Sequence, residues 1–200
     1  LLTQNHIKNS NVCLILGDNI FYGQGLRDSL LIGKKNKIGA TIYAYQIKDP
    51  QNFGVIEFDL KNRPKDIVEK PKKPKSNYAV TGLYFYDKNV VKYVKKLKPS
   101  KRDELEISDL NKIYLSKKKL KVEILGRGFA WLDTGSSENL LAASQFVETI
   151  EKRQGYKIAC IEEIALRNKW ISKKQLASNI KKIPDNNYKK YLNKIIEEIK

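Results

Sequence analysis

The chain has 200 residues, 39 of them lysine or arginine against 22 acidic, for a formal charge of +17. A chain this long buries about 70% of its unfolded surface, enough for one domain with an appendage. Cys13 and Cys160, far apart, exclude a disulfide framework and a cysteine metal site, while no run of eighteen apolar residues and no signal peptide are present, so the expectation is a cytoplasmic protein without a membrane partner. The charge invites a nucleic-acid reading, but only six of the basic residues are arginine, the side chain suited to bidentate base contacts. The lysines are scattered beside apolar segments, as on a solvated surface, and no nucleic-acid partner is expected. His6, the single histidine, sits among polar residues and is expected at the surface.

In chain order, residues before Asn11 read as the tail of a helix or a loop. Residues 12–16 (Val-Cys-Leu-Ile-Leu) are an unbroken apolar run, which predicts a strand covered on both faces as in a parallel sheet. Gly17 then turns the backbone and presents Asp18 and Asn19, and a carboxylate at the carboxyl end of such a strand can hold a divalent cation. An Asp-Asn turn without any ligand accounts for the same octet. Residues 20–25 read as a glycine-punctuated loop, not a dinucleotide fingerprint, since the third glycine is missing. Leu26, Ser29, Leu30 and Gly33 predict a short helix, and residues 40–46 a strand ended by Asp49-Pro50.

Residues 53–59 and 66–70 flank a turn at Lys61-Asn62 and predict a hairpin. Gly54 inside the first arm marks a close approach. Lys70 precedes Pro71, which predicts an extended backbone at the lysine. Residues 77–86 form the most aromatic strand pattern, followed by helical spacing at Val90, Val91, Val94 and Leu97 and again over 105–115. Residues 120–125 alternate as a strand, and after Gly126-Arg127-Gly128 a second apolar run ends in Asp133. Residues 136–152 are helical, and short helices follow over 161–170, from a capping box at Ser172 to Gln175, and over 188–199. The expected architecture is α/β: a mixed sheet over residues 1–152 and a helical appendage over 153–200. Asp18, Asp133 and the strand end carrying Glu69 and Lys70 are expected to converge on one crevice, where paired carboxylates suit Mg²⁺ and a lysine suits a phosphate.

The motifs LILGDNIFYGQGL, FGVIEFD, VEKP, KSNYAVTGLYFYD, ELEISDLN, GRGFAWLDTG and ENLLAASQFVETIEKRQGYKIACIEEIA, in this order over nearly the whole chain, closely resemble the glucose-1-phosphate thymidylyltransferase family of sugar nucleotidyltransferases. The resemblance implies a Rossmann-like nucleotidyltransferase fold and a Mg²⁺-dependent attack of the glucose 1-phosphate oxygen on the α-phosphorus of dTTP. The products would be dTDP-glucose and pyrophosphate. It implies Asp18 and Asp133 as Mg²⁺ ligands, with Asp18 and Lys70 as the catalytic pair. Lys70 would hold the sugar phosphate. Glu69, Gly54 and Val80 would line the hexose pocket, the last two through backbone groups, and Asn19, Tyr84 and Trp131 would complete its walls. A homotetramer with a second, regulatory nucleotide site is also implied, and the segments Gly126-Arg127-Gly128 and Cys160-Ile161-Glu162-Glu163 resemble parts of that region.

Two departures qualify the resemblance. Phe53 stands where relatives often carry tyrosine, and the glycine-rich GGxGTRL nucleotide loop is nowhere in the sequence. With no methionine and an opening at Leu1, the expectation is an N-terminally truncated chain holding the sugar and metal side of the enzyme. Such a chain is expected to have little transferase activity by itself and an unpaired strand edge that lowers its solubility. The rival readings are a catalytically dead fragment and a transferase using another base, such as that of UTP.

Overall fold

The computed structural model describes residues 2–198. It divides into two compact units, Leu1–Asn139 and Leu140–Lys200. Among the described residues no helix is long and apolar enough to cross a membrane.

The first unit opens with the short helix α1 (Gln4–Ile7) and continues β1 (Val12–Ile15), β2 (Asn19–Gly23), α2 (Leu26–Lys35) and β3 (Ala40–Gln46). A single 3-10 turn at Pro50–Asn52 leads to the hairpin β4 (Gly54–Phe58) and β5 (Pro64–Glu69), then β6 (Tyr78–Tyr86). Helices α3 (Val90–Val94) and α4 (Ile107–Ser116) precede β7 (Leu120–Leu125) and β8 (Phe129–Asp133). The main sheet runs β5-β4-β6-β3-β7, antiparallel except for the parallel pair β3 and β7. This is a mixed α/β arrangement, as the alternation of elements predicts. Strand β6 is central because residues 79–84 are all buried, and only an interior strand asks for that.

Ile42, Ala44, Ile56, Ile67, Val80 and Tyr84 of the sheet pack with Leu110 and Tyr114 of α4. Burial of each isoleucine, leucine or valine among them contributes about 1.5–3 kcal/mol. Helix α4 presents Ser108, Leu110, Asn111 and Tyr114 inward, the spacing of one helical face. Asp87, just past β6, joins these layers. Its Oδ2 accepts from Gly39 N at 2.8 Å and its Oδ1 from Tyr114 OH at 3.0 Å.

Two expectations are overturned. Strand β1 is not a doubly covered parallel strand: it pairs antiparallel with the end of β6, Val12 opposite Tyr86, and Leu14, Ile15 and Leu16 are 38%, 56% and 39% exposed. The chain directions at Leu83–Tyr86 decide the pairing, and an apolar run does not encode direction. Of residues 20–25, expected as a loop, only Gln24 and Gly25 are a turn. Asn19–Gly23 is a strand paired with Phe129–Asp133 in a separate two-stranded ribbon, Asn19 opposite Asp133. Ile20, Phe21 and Tyr22 favour strand, but the partner that lets them form one lies more than a hundred residues onward.

The second unit is helical. Helix α5 (Ser137–Gln154) begins before the division and continues into this unit, followed by α6 (Ile161–Arg167), α7 (Lys173–Ile180) and α8 (Asn187–Glu198). Leu166, Leu176, Ile180, Leu192 and Ile195 form its core. The capping box is present: Ser172 Oγ accepts from Gln175 N at 3.2 Å while Ser172 N donates to Gln175 Oε1 at 2.8 Å. The last predicted helix reached Ile199, which lies outside the described residues.

Candidate active site

A crevice of about 760 Å³ opens within the first unit, and Asp18, Asn19, Gly54, Glu69, Lys70, Val80, Tyr84, Trp131 and Asp133 all line it. All nine residues singled out from the sequence meet there. Their convergence follows from three placements: the β1-β2 turn, the end of the β4-β5 hairpin, and the end of β8, each beside the middle of β6.

That middle is where β6 departs from regular pairing. Ile42 stands opposite Tyr84 and Ala44 opposite Val80, so Thr81, Gly82 and Leu83 face Tyr43 alone. The bulge frees Gly82 from the β3 ladder. Its carbonyl accepts from Leu16 N at 2.8 Å and its N–H donates to Asn19 Oδ1 at 2.9 Å. A Cβ on Gly82 would lie 2.6 Å from Asn19 Oδ1, so the amide rests directly on the glycine.

At the acidic end, Thr134 ties the two strand ends together: its N and Oγ1 both donate to Asp18 O, at 2.8 and 3.0 Å. A Cβ built on Gly135 would lie 3.0 Å from Asp133 Oδ1 and 3.8 Å from Asp18 Oδ2, which brings both carboxylates to one spot. Among the described residues no cluster of three or more histidine, cysteine or acidic side chains is in ligating reach of one point. Two carboxylates fit Mg²⁺, which takes one or two protein oxygens and fills its octahedron with water and phosphate.

At the other end, Glu69 Oε2 accepts a 2.5 Å hydrogen bond from Ser108 Oγ. A Cβ on Gly54 would lie 2.7 Å from Ser108 Oγ and 3.2 Å from Glu69 Oε2, so the close approach expected at this glycine is made by two side chains. Tyr84 is 2% exposed, and burial first, then the Glu69 and Asp18 carboxylates, hold its phenol far above the ordinary range. It stays protonated and is a donor. Trp131 packs edge-on against Phe53, with ring centroids 5.0 Å apart. These rings supply an apolar wall.

Lys70 is exposed, and its backbone differs from the expectation. Its φ is +42° rather than extended, with Lys70 N donating to Phe53 O at 3.0 Å. The hairpin closure made by that hydrogen bond outweighs the bias imposed by Pro71. A lysine in this left-handed region is strained, as residues at binding sites often are.

Sequence reasoning missed Ser108 and Gly82. Ser108 stood inside the ELEISDLN motif without a stated partner, and only the fold shows its bond to Glu69. Gly82 carried a readable signal, a glycine interrupting an apolar strand.

Comparison with known proteins gives consistent findings. The nucleotidyl transferase family profile matches residues 1–150. A glucose-1-phosphate thymidylyltransferase of Neisseria meningitidis is 50% identical over 198 residues, covering 99% of this chain and 69% of that protein. Its Neisseria gonorrhoeae counterpart is 52% identical over 192 residues, 96% of this chain and 67% of that protein. A solved Bacillus anthracis structure, described as a glucose-1-phosphate thymidylyltransferase in complex with sucrose, superposes with a TM-score of 0.64 at 39% identity. It shares 72% of this chain and 57% of its own. UDP-glucose pyrophosphorylase, at 22% identity and a TM-score of 0.62, shares the fold. The chain thus spans about two thirds of the length of the curated relatives and 57% of the solved Bacillus anthracis chain.

Proposed function

The chain belongs to the nucleotidyl transferase family, of the glucose-1-phosphate thymidylyltransferase kind, and from that premise we propose that its crevice is the sugar-phosphate and metal side of thymidylyl transfer from dTTP to glucose 1-phosphate. An oxygen of the sugar phosphate attacks the α-phosphorus of dTTP, the bond to the β-phosphate breaks, and dTDP-glucose and pyrophosphate result. Catalysis of this kind is positioning plus charge stabilisation, with no covalent protein intermediate.

In this reading the exposed Lys70 ammonium pairs with the sugar phosphate as a point charge. Glu69, held by Ser108, accepts hydrogen bonds from hexose hydroxyls, and backbone groups of Gly54 and Val80 line the same pocket. Tyr84 donates from the floor, and Trp131 with Phe53 excludes water along one wall. Asp18 and Asp133 would hold Mg²⁺, which when bound supplies charge neutralisation to phosphate oxygens. For the whole protein we propose the homotetramer that the family resemblance implies.

The observation that carries this reading is the meeting of Asp18 and Asp133 in a crevice that Glu69 and Lys70 also line. Calorimetric titration of glucose 1-phosphate into the chain in the presence of Mg²⁺ tests it. Saturable binding that disappears in Lys70→Ala is expected; no heat of binding in the unmutated chain would overturn it. Pyrophosphate release with dTTP against UTP then reads the base.

A further inference from the structure

The amide of Asn19 has an orientation that chemistry alone decides. Its Oδ1 faces Gly82 N at 2.9 Å and Trp131 Nε1 at 2.6 Å. A backbone N–H and an indole N–H are both donors with nothing to accept, so the atom between them is the oxygen. The Nδ2 therefore points the other way, to Asp18 Oδ1 at 2.8 Å. With Oδ1 of Asp18 held by that amide, Oδ2 is the oxygen turned toward Asp133 beside Gly135.

We propose that Asn19 is the positioning residue of the Asp18 carboxylate, locked by the Trp131 indole and the Gly82 amide so that one aspartate oxygen is presented to the cation and the other is not. The proposal rests on the reading of Asp18 and Asp133 as metal ligands and goes beyond it, since it makes Trp131 part of the metal site as well as a wall of the sugar pocket. A free aspartate at an exposed turn rotates about two side-chain bonds; this one is held through a relay anchored on the central strand. Asp18 is itself exposed, whereas Trp131 is 8% exposed, so rigidity is passed from a buried ring to a solvated ligand. Groups that orient a metal ligand in this way typically change metal affinity about 10- to 100-fold when removed. The arrangement also links the sugar pocket to the metal site: a sugar that presses on the indole presses, through Asn19, on Asp18.

Mn²⁺ titration followed by electron paramagnetic resonance, with a thermal melt on each protein, tests the proposal on the whole chain. The variants are Asn19→Ala, Trp131→Phe and, as reference, Asp133→Asn. Trp131→Phe keeps an aromatic ring beside Phe53 and removes the indole N–H together with part of the ring volume, and the melt on the same protein separates the packing loss from the loss of the donor. The expected result is Mn²⁺ binding in the unmutated chain, weakened about tenfold or more in Asn19→Ala and several-fold in Trp131→Phe, with a broadened bound spectrum in both. A merely structural role would lower the melting temperature and leave the Mn²⁺ affinity of the folded protein unchanged. Unchanged affinity in both variants beside clear binding in the unmutated chain overturns the positioning role and leaves the metal site standing. Absence of Mn²⁺ binding in the unmutated chain overturns the metal reading and this inference with it.

Discussion

Ser108 Oγ donates a 2.5 Å hydrogen bond to Glu69 Oε2, and both atoms occupy the space that a side chain on Gly54 would need. The carboxylate is thereby held at the place where a sugar hydroxyl would meet it. Hydrogen bonds to a charged group contribute about 1.5–3 kcal/mol. Ser108→Ala is expected to weaken glucose 1-phosphate binding about tenfold while leaving the melting temperature nearly unchanged, because water can take the vacated place at a half-buried carboxylate. Calorimetry and a melt on the same preparation check both halves. Gly54→Ala, by contrast, drives a methyl into both groups and is expected to abolish binding.

Lys70 separates two effects of one residue. Its φ of +42° favours glycine, which adopts that region without the steric cost a side chain meets. Lys70→Gly is therefore expected to be more stable than Lys70→Ala by about 1 kcal/mol. Both are expected to lose sugar-phosphate binding, since the ammonium is gone from each. Urea unfolding of the two variants gives the comparison, and equal midpoints would remove the claim of strain.

Asp87 gives the fold a pH dependence. Burial opposes its ionisation, yet hydrogen bonds from Gly39, Asn89 and Tyr114 outweigh burial and hold the carboxyl below its usual range. A carboxyl depressed in the folded state stabilises above its unfolded value of about 3.9, and that stabilisation is lost as pH falls through the lower folded value. Asp87→Asn is expected to be less stable than the unmutated chain by about 1–3 kcal/mol at neutral pH, with the gap closing below about pH 4. Denaturant unfolding across that range measures it. A gap independent of pH would mean that shape rather than charge is what the site requires.

The exposed apolar side chains of β1 predict self-association. Ile15 is 56% exposed on a strand that, among the described residues, pairs only with β6. Ile15→Lys is expected to raise the monomer fraction in light scattering without changing the circular dichroism spectrum. An unmutated chain that stays monodisperse on concentration would contradict this.

What the sequence made legible was mostly what a short stretch encodes by itself. Asp18 and Asp133 were visible because each closes an apolar run, and the Ser172 capping box because its two partners lie three residues apart. The hairpin before Lys70 was visible from its turn. The β2 strand was not, because Ile20, Phe21 and Tyr22 become a strand only when Phe129–Asp133 arrives from far along the chain. The direction of β1 was misread for a related reason: five apolar residues state that a strand forms and leave open whether its neighbour runs with or against it. The Ser108 to Glu69 bond was hidden because hydroxyl partners across elements leave no spacing pattern. The bulge at Thr81–Leu83 was hidden because pairing register is a property of two strands together.

That bulge has a use beyond geometry. The N–H of Gly82 is held by a side chain of the β2-β8 ribbon instead of a neighbouring ladder rung, so its hydrogen is expected to exchange with solvent deuterium when the ribbon lifts and takes the Asn19 amide with it. The same lifting would carry Asp18 and Asp133 away from β6. The deuteration rate of one glycine is thus a clock for how often the acidic end of the crevice comes apart and reassembles.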